Sequence, residues 1–398
     1  MPTDPSPVTV HPLRVANVVA QIGFGLFAMM ICVPSMQEWG AHFGAAPATV
    51  QLTFSAYVLA LGALGVFYGP LSDRHGRRRI LLIGLALAAV GSVLAALATD
   101  IDALIAARAL QGAGAAAGMV AGRAMVQDLF TGPQRTRVMA YVGMAMGLCP
   151  PAATIIGGQL HVRWGWQANF VLTAGLAVLL IGAAWRGLPA TTPRAATQAH
   201  WLRGMTLAYA RLLGDRAFML NALVLSLTVA AFYAFLAGAP LVLRSFGIGP
   251  DGVGWVIMAV PLSYIVGNYA TSRLVQRRGE RWMMSAGQAF SVTGIVLMLA
   301  FGLAGTKSAW TFALPLVLLG AGHGFLTPVC LARAVGLVPA LAGAAAAVAS
   351  LMQQVVGAFG GYAVGWVSHD GQVNLALLML AFTLCAAAAQ GVMFRRGE

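Results

Sequence analysis

The sequence predicts an all-α integral membrane protein: twelve transmembrane helices in two six-helix bundles around a central cavity. Three observations carry that prediction. The chain is 59% hydrophobic and 9% charged, with a mean hydropathy of +0.81, more apolar surface than one water-soluble core can bury. Apolar runs of about 20 residues, the length a helix needs to cross the hydrocarbon layer, recur along all 398 residues between short polar breaks. No ten-residue segment alternates as a barrel strand would. In lipid each such run must therefore satisfy its own backbone groups as a helix.

In chain order the expected helices cover 15–36, 48–70, 80–98, 103–126, 137–160 and 167–186, then 217–240, 252–271, 282–302, 308–330, 340–364 and 374–394. The longest polar stretch, 187–215, holds Pro189, Pro193 and several arginines and reads as a linker between halves 1–186 and 216–398. Arg14 precedes the first apolar run. That run is long and no small-residue cleavage site follows, so it is taken as helix one and not as a cleaved signal peptide.

Twelve spans put both termini on one face. Nineteen of the 24 basic residues fall on that face, including Arg194, Arg203 and Arg396, against Arg163, Arg244 and Lys307 on the other, and Arg108 and Arg123 lie inside helix four. By the positive-inside rule the termini, the linker and the 69–79 stretch are cytoplasmic. The net charge of +13 is thus a topology signal and no nucleic-acid footprint. Cys32, Cys149, Cys330 and Cys385 all lie in apolar runs without metal-ligand spacing and read as inert packing residues, so no metal site is expected.

Between helices two and three, the stretch from Gly69 to Arg79 carries one acid among four arginines and reads as a polar hairpin. The corresponding loop between helices eight and nine has Gly267, Arg273, Arg277, Arg278 and Gly279, a worn version of the same pattern. Such a repeat suggests duplicated bundles with a substrate site between them and access alternating by rocking.

On these residues the chain resembles the major facilitator superfamily, and within it the twelve-helix drug–proton antiporters of the bicyclomycin and chloramphenicol resistance type. The family's loop signature matches Gly69 through Arg78 without a break. A second signature of these exporters matches Arg108 through Ala116 in helix four and runs on from Arg123 to Phe130. The segment Gln51 to Tyr57 resembles the start of their helix two. The matches cover the first half well, and the second half is carried mostly by topology. Two departures stand out. Helix five has Gly143, Gly147, Pro150, Pro151, Gly157 and Gly158, a candidate kink, but the usual second proline is Thr154. The acid that related exporters carry in helix one falls on Met30, ahead of Val33-Pro34.

The resemblance implies a conformational latch of Gly69, Asp73, Arg74, Gly76, Arg77, Arg78 and Asp128. In it Arg77 pairs with Asp128, and Asp73 meets the positive start of helix eleven. None of the eleven acids sits at mid-membrane. Intramembrane ionisable groups are functional candidates by default, so the coupling candidates are Arg108, with Glu38 two turns outward as its substitute partner, and His323. The alternatives are that Arg108 snorkels to water or bonds Gln111 and backbone carbonyls, and that His323 is a hydrogen-bonded core histidine. Expected cavity residues are Asn17, Gln21, Tyr57, Arg108, Gln111, Asn221, Phe232, Tyr233, Phe235, Tyr264, His323 and Gln354, a polar and aromatic set suited to amphipathic ligands.

What the resemblance implies is a bacterial inner-membrane exporter of small hydrophobic or amphipathic compounds, driven by the proton gradient. Its expected partners are the small-molecule substrate, protons and the lipid bilayer. It is expected to need no cofactor, to bind no nucleic acid and to act as a monomer. No nucleophile or metal constellation points to an enzyme, and no nucleotide-binding loop points to an ATP-driven pump. The rival readings are an uptake or facilitative carrier for a metabolite or siderophore-like substrate, and a sensor or scaffold on the same fold.

Overall fold

The computed structural model describes residues 12–190 and 201–395, so Asp4, Pro193, Arg194, Arg396 and Glu398 lie outside the described residues. Among the described residues, twelve helices are long and apolar enough to cross a membrane. They are α1 (Pro12–Phe43), α2 (Pro47–His75), α3 (Arg77–Ala96), α4 (Ile101–Leu129), α5 (Gly132–Trp164), α6 (Gln167–Gly187), α7 (Arg216–Ser245), α8 (Pro250–Arg278), α9 (Glu280–Leu303), α10 (Ala309–Gly336), α11 (Pro339–Trp366) and α12 (Val373–Arg395). Local chemistry fixes several starts. Pro47 and Pro250 stand in first turns, where a missing N–H loses no helical bond. Asp100 and Asp215 cap α4 and α7 by accepting from the amides of Ala103 and Phe218, at 2.8 and 2.9 Å.

The two halves repeat one another in packing. Within the first, α4 packs on α1, α2 and α3, α1 packs on α5 and α6, and α3 packs on α6. Within the second, α10 packs on α7, α8 and α9, α7 packs on α11 and α12, and α9 packs on α12. Each of these six contacts of the first half has its counterpart six helices later. The halves then meet most extensively through two equivalent pairs, α2 against α11 and α5 against α8, with smaller contacts from α1 to α7 and α8.

Three expectations need correction. The 69–79 stretch is no hairpin loop: α2 runs through His75 and α3 begins at Arg77, so Gly76 alone makes the turn. Its φ of +89° is open to glycine and strained for any residue with a Cβ. Gly279, at φ +79°, makes the same one-residue turn between α8 and α9. Second, α1 is not one rod: it breaks at Val33–Ser35, a 3-10 turn around Pro34, and continues to Phe43. Proline denies the helix an amide, which explains the place of the break. Third, the stretch read only as a linker contains a helix: Trp201–Gly214 is helical and seats Leu212 beside Phe218 and Ala345.

Glycines let these helices close on one another. On α4, Gly112 lies against the backbone of Tyr57, Gly114 against Ala88 and Gly118 against Gln21, where any side chain would collide with main chain. The halves are joined chiefly on the face opposite the arginines. There the Gln37 amide donates to the carbonyls of Pro240 (2.6 Å) and Ile248 (3.3 Å), Arg244 donates to the Gln37 carbonyl (2.5 Å), Gln51 donates to Ala237 (3.2 Å) and Ser55 to Ala358 (2.8 Å). At the arginine-rich face the start of α11 is exposed, and space is open beside Gly343.

Candidate functional site

Arg108 organises the inside of the first half. It is fully buried on α4, and no carboxylate reaches it among the described residues. Its Nη1 donates to the carbonyl of Ala28 (2.9 Å) and to Oε1 of Gln111 (2.5 Å). Nη2 donates to the carbonyl of Met29 and Nε to that of Thr53, both at 3.4 Å. The guanidinium stands 4.2 Å from the ring centroid of Tyr57, a favourable seat for a desolvated cation. Tyr57 is held by donating its hydroxyl to the Gly25 carbonyl at 2.7 Å, and Gln111 by donating to Ser92 at 2.7 Å.

The break in α1 explains how a charge survives here without an acid. The α-helical part ends at Met30, and the carbonyls of a last helical turn lack intrahelical partners. Ala28 and Met29 offer those carbonyls to Arg108, at the negative end of a helix dipole. Met30, the position of the absent acid, is buried apolar packing. Glu38 is not the partner of Arg108: its Oε2 lies 2.9 Å from Nε2 of His161 on α5. Gln111 and backbone carbonyls take the place expected for it.

At the α2–α3 junction, Arg77 is buried and gathers three groups. Its Nε donates to Asp128 Oδ2 at 3.1 Å, Nη1 to Ser72 Oγ at 2.7 Å, and Nη2 lies 2.5 Å from Asp73 Oδ1. Asp128 ends α4, so this set ties α2, α3 and α4 together. Arg78 reaches the carbonyl of Leu188 at 3.0 Å, beyond the end of α6. The acid of the pair Asp73–Arg77 is about half exposed, and it does not touch the start of α11 in this structure. The second half carries an echo with its charges exchanged: Glu280 opens α9 and Arg333 lies near the end of α10, 3.0 Å apart. Sequence reading missed it because a reversed pair does not match the motif.

The expected cavity residues separate into groups. Tyr57 and Gln111 belong to the Arg108 cluster. Asn17 and Gln21 do not face the space between the halves: Asn17 donates to the Ala183 carbonyl (2.6 Å) and Gln21 to that of Leu180 (3.0 Å), stitching α1 to α6. Asn221 is buried and donates to the carbonyl of Ala217 on its own helix. Phe232, Tyr233 and Phe235 form a cluster on α7. Tyr233 donates to Gln354 on α11 at 3.0 Å and meets Phe54 of α2 edge-on at 5.6 Å, so this cluster lies between the halves. Gln354 also covers Gly62 of α2. His323 is buried and packs its ring 5.6 Å from Phe232. Tyr264 on α8 is half-buried, its carbonyl accepting from Asn268 at 3.1 Å.

In α5 the helix continues through Pro150 and Pro151, and the carbonyls of both accept from the Thr154 hydroxyl at 3.0 Å. Gly143 has open space around it and Gly147 faces Ile265 of α8. Gly157 abuts the Ile31 carbonyl at the break in α1, while Gly158 abuts Pro250 at the start of α8. These glycines therefore serve close approach of three helices.

Twelve spanning helices in two repeated halves, with a polar cluster buried inside and the halves joined on one face, describe a membrane transporter. A sequence profile of the Major Facilitator Superfamily matches residues 17–249 and 222–398, and the chain belongs to that family. It is similar to multidrug resistance protein D of Escherichia coli K12, at 27% identity over 390 residues covering 96% of each chain. It is also similar to the chloramphenicol resistance protein of Pseudomonas aeruginosa, at 27% identity over 79% of this chain and 73% of that one. Among solved structures, a bacterial homolog of the human lysosomal transporter Spinster, inward-facing and unoccupied, superposes with a TM-score of 0.77 over 97% of each chain at 14% identity, which speaks to the fold.

Proposed function

We propose that this transporter expels small hydrophobic or amphipathic compounds, drugs or antibiotics among them, from a bacterial cytoplasm by proton-driven alternating access. The observation that carries the reading is the end-to-end similarity to multidrug resistance protein D. The positive-inside rule then sets the arginine-rich face, both termini and the linker 187–215 in the cytoplasm, in the inner membrane, with bundles 1–186 and 216–398 on either side of that linker. With the halves joined on the far face, the structure is inward-facing. Protons supply the energy and no cofactor is needed. The protein acts as a monomer within the bilayer.

The Tyr233, Phe232 and Gln354 cluster lies where a substrate would meet both halves, with His323 beside it. Apolar and aromatic contact with few polar groups suits ligands of varied shape. The Asp73, Arg77 and Asp128 set, with Gly69, Arg74, Gly76 and Arg78 around it, acts as the latch: when the cytoplasmic ends come together, Asp73 exchanges Arg77 for the start of α11, whose amides favour an anion.

The test is a susceptibility panel in a pump-deficient host, repeated with a proton uncoupler. Raised resistance that collapses with the uncoupler is expected. Resistance that persists would remove the proton from the scheme, and accumulation of a compound in place of its loss would favour the uptake carrier. That second reading is supported by Met30, where related exporters carry an acid.

A further inference from the structure

At the outer end of the first half, three side chains form a line that no motif predicts. Glu38 on the distal segment of α1 is half exposed, and its Oε2 stands 2.9 Å from Nε2 of His161. His161 is buried on α5, and its Nδ1 stands 2.8 Å from Oγ of Ser35. Ser35 is fully buried in the 3-10 turn that breaks α1, and it also accepts from Asn169 Nδ2 of α6 at 3.0 Å. The adjacent Asn169 Oδ1 is buried and has no hydrogen-bond partner.

We propose that His161, between Glu38 and Ser35, is a proton-binding site fed from the outer face that controls the outer gate; the inference rests on the exporter reading for the identity of that face. The hydrogen-bond inventory supplies the switch. With a neutral imidazole protonated at Nε2, His161 donates to Glu38 and its Nδ1 accepts the Ser35 hydroxyl. Adding a proton at Nδ1 leaves the carboxylate contact as an ion pair and makes Nδ1 a donor, so the Ser35 hydrogen must turn to another acceptor. Asn169 Oδ1 is free to take it. One proton therefore rewires the turn that joins the two segments of α1.

That turn leads directly into the gate. Gln37, between Ser35 and Glu38, carries the bonds to Pro240, Ile248 and Arg244 of the second half. One turn back from His161, Gly158 is covered by Pro250. Parting the halves uncovers this end of α5 and hydrates His161, and water favours the charged imidazolium. The proton consequently favours the open gate, and a ligand shifts an equilibrium only through such differential affinity. The other charged or titratable groups at this end of the neighbouring elements are His42 of α1, Arg163 of α5, Asp100 and Asp102 at α4, Arg244 of α7 and Asp251 of α8. Arg244, across the closed gate, opposes the proton, and withdraws when the halves part.

The experiment places spin labels at Ala41→Cys on α1 and Ser245→Cys on α7, both exposed, in full-length protein with its four native cysteines replaced, and reads their distance from pH 5 to 8. A distance that lengthens as pH falls is expected. His161→Gln should make it independent of pH, and Glu38→Gln, at a half-exposed position, should displace the profile. An unchanged profile in both variants, or a flat one in the parent protein, overturns the proposal. Neither outcome depends on export: a pH-driven gate in a protein that confers no resistance would leave the site standing and remove the exporter reading.

Discussion

Arg108 holds its charge with neutral groups, and this decides what its replacement does. Removing the guanidinium leaves Gln111 Oε1 and the carbonyls of Ala28 and Met29 buried without their donor. Each orphaned group costs about 1 to 3 kcal/mol. Arg108→Ala should therefore lower the thermal unfolding midpoint in detergent, besides abolishing transport. Arg108→Lys should recover little, because an ammonium lacks the planar fork that reaches several acceptors at once. A midpoint unchanged in Arg108→Ala would sink this account. At this scale the sequence told part of the story. It marked Arg108 and Gln111 as candidates and named Asp128 as the partner of Arg77. It could not find His161, which stands 123 residues from Glu38 in a segment without charge patterning, because nothing local links two helices that meet only through packing.

The helices themselves were legible because span length and apolar runs are set by the bilayer. Their ends were less so. The 69–79 stretch looked like a loop because its charges are dense, yet helical backbone tolerates charged residues at a membrane surface, and only Gly76 has the freedom the turn requires. The break in α1 was not foreseen; backbone carbonyls were named among the partners open to Arg108, but not that the end of α1 supplies them. The reversed pair Glu280–Arg333 extends the same lesson: the repeat keeps the geometry of its elements and exchanges their charges. Sequence comparison of the halves sees only what is kept letter by letter.

At the scale of the molecule, the six contacts repeated between halves make each bundle a stiff body, so rocking must be absorbed at the α2–α11 and α5–α8 seams. The proposed latch lies at the arginine-rich end of those seams. Asp73→Asn should abolish resistance while leaving the protein inserted at normal abundance. It should also leave cysteines introduced at Arg74 and Gly343 unable to cross-link, where the parent background cross-links readily; efficient cross-linking in both would end the latch assignment. The two-bundle organisation was foreseeable from twelve runs and the echoed loop. Which face the halves are joined on was not, because a sequence describes both ends of a rocking motion equally well.

The neutral company of Arg108 has an electrical consequence. An arginine balanced by an acid moves as a dipole of no net charge, whereas one balanced by carbonyls carries its full charge wherever the bundle takes it. Arg108 lies about 10 Å along α4 from its start, at 1.5 Å per residue, within the spanning segment. If rocking carries it through a quarter of the transmembrane field, the two states differ by about 0.6 kcal/mol per 100 mV, roughly threefold in population. The resting voltage of the cell would then set the balance between inward and outward states before any proton or substrate binds. Label distances in liposomes under an imposed potassium diffusion potential should shift accordingly. The same shift in Arg108→Gln would assign the voltage sensitivity elsewhere.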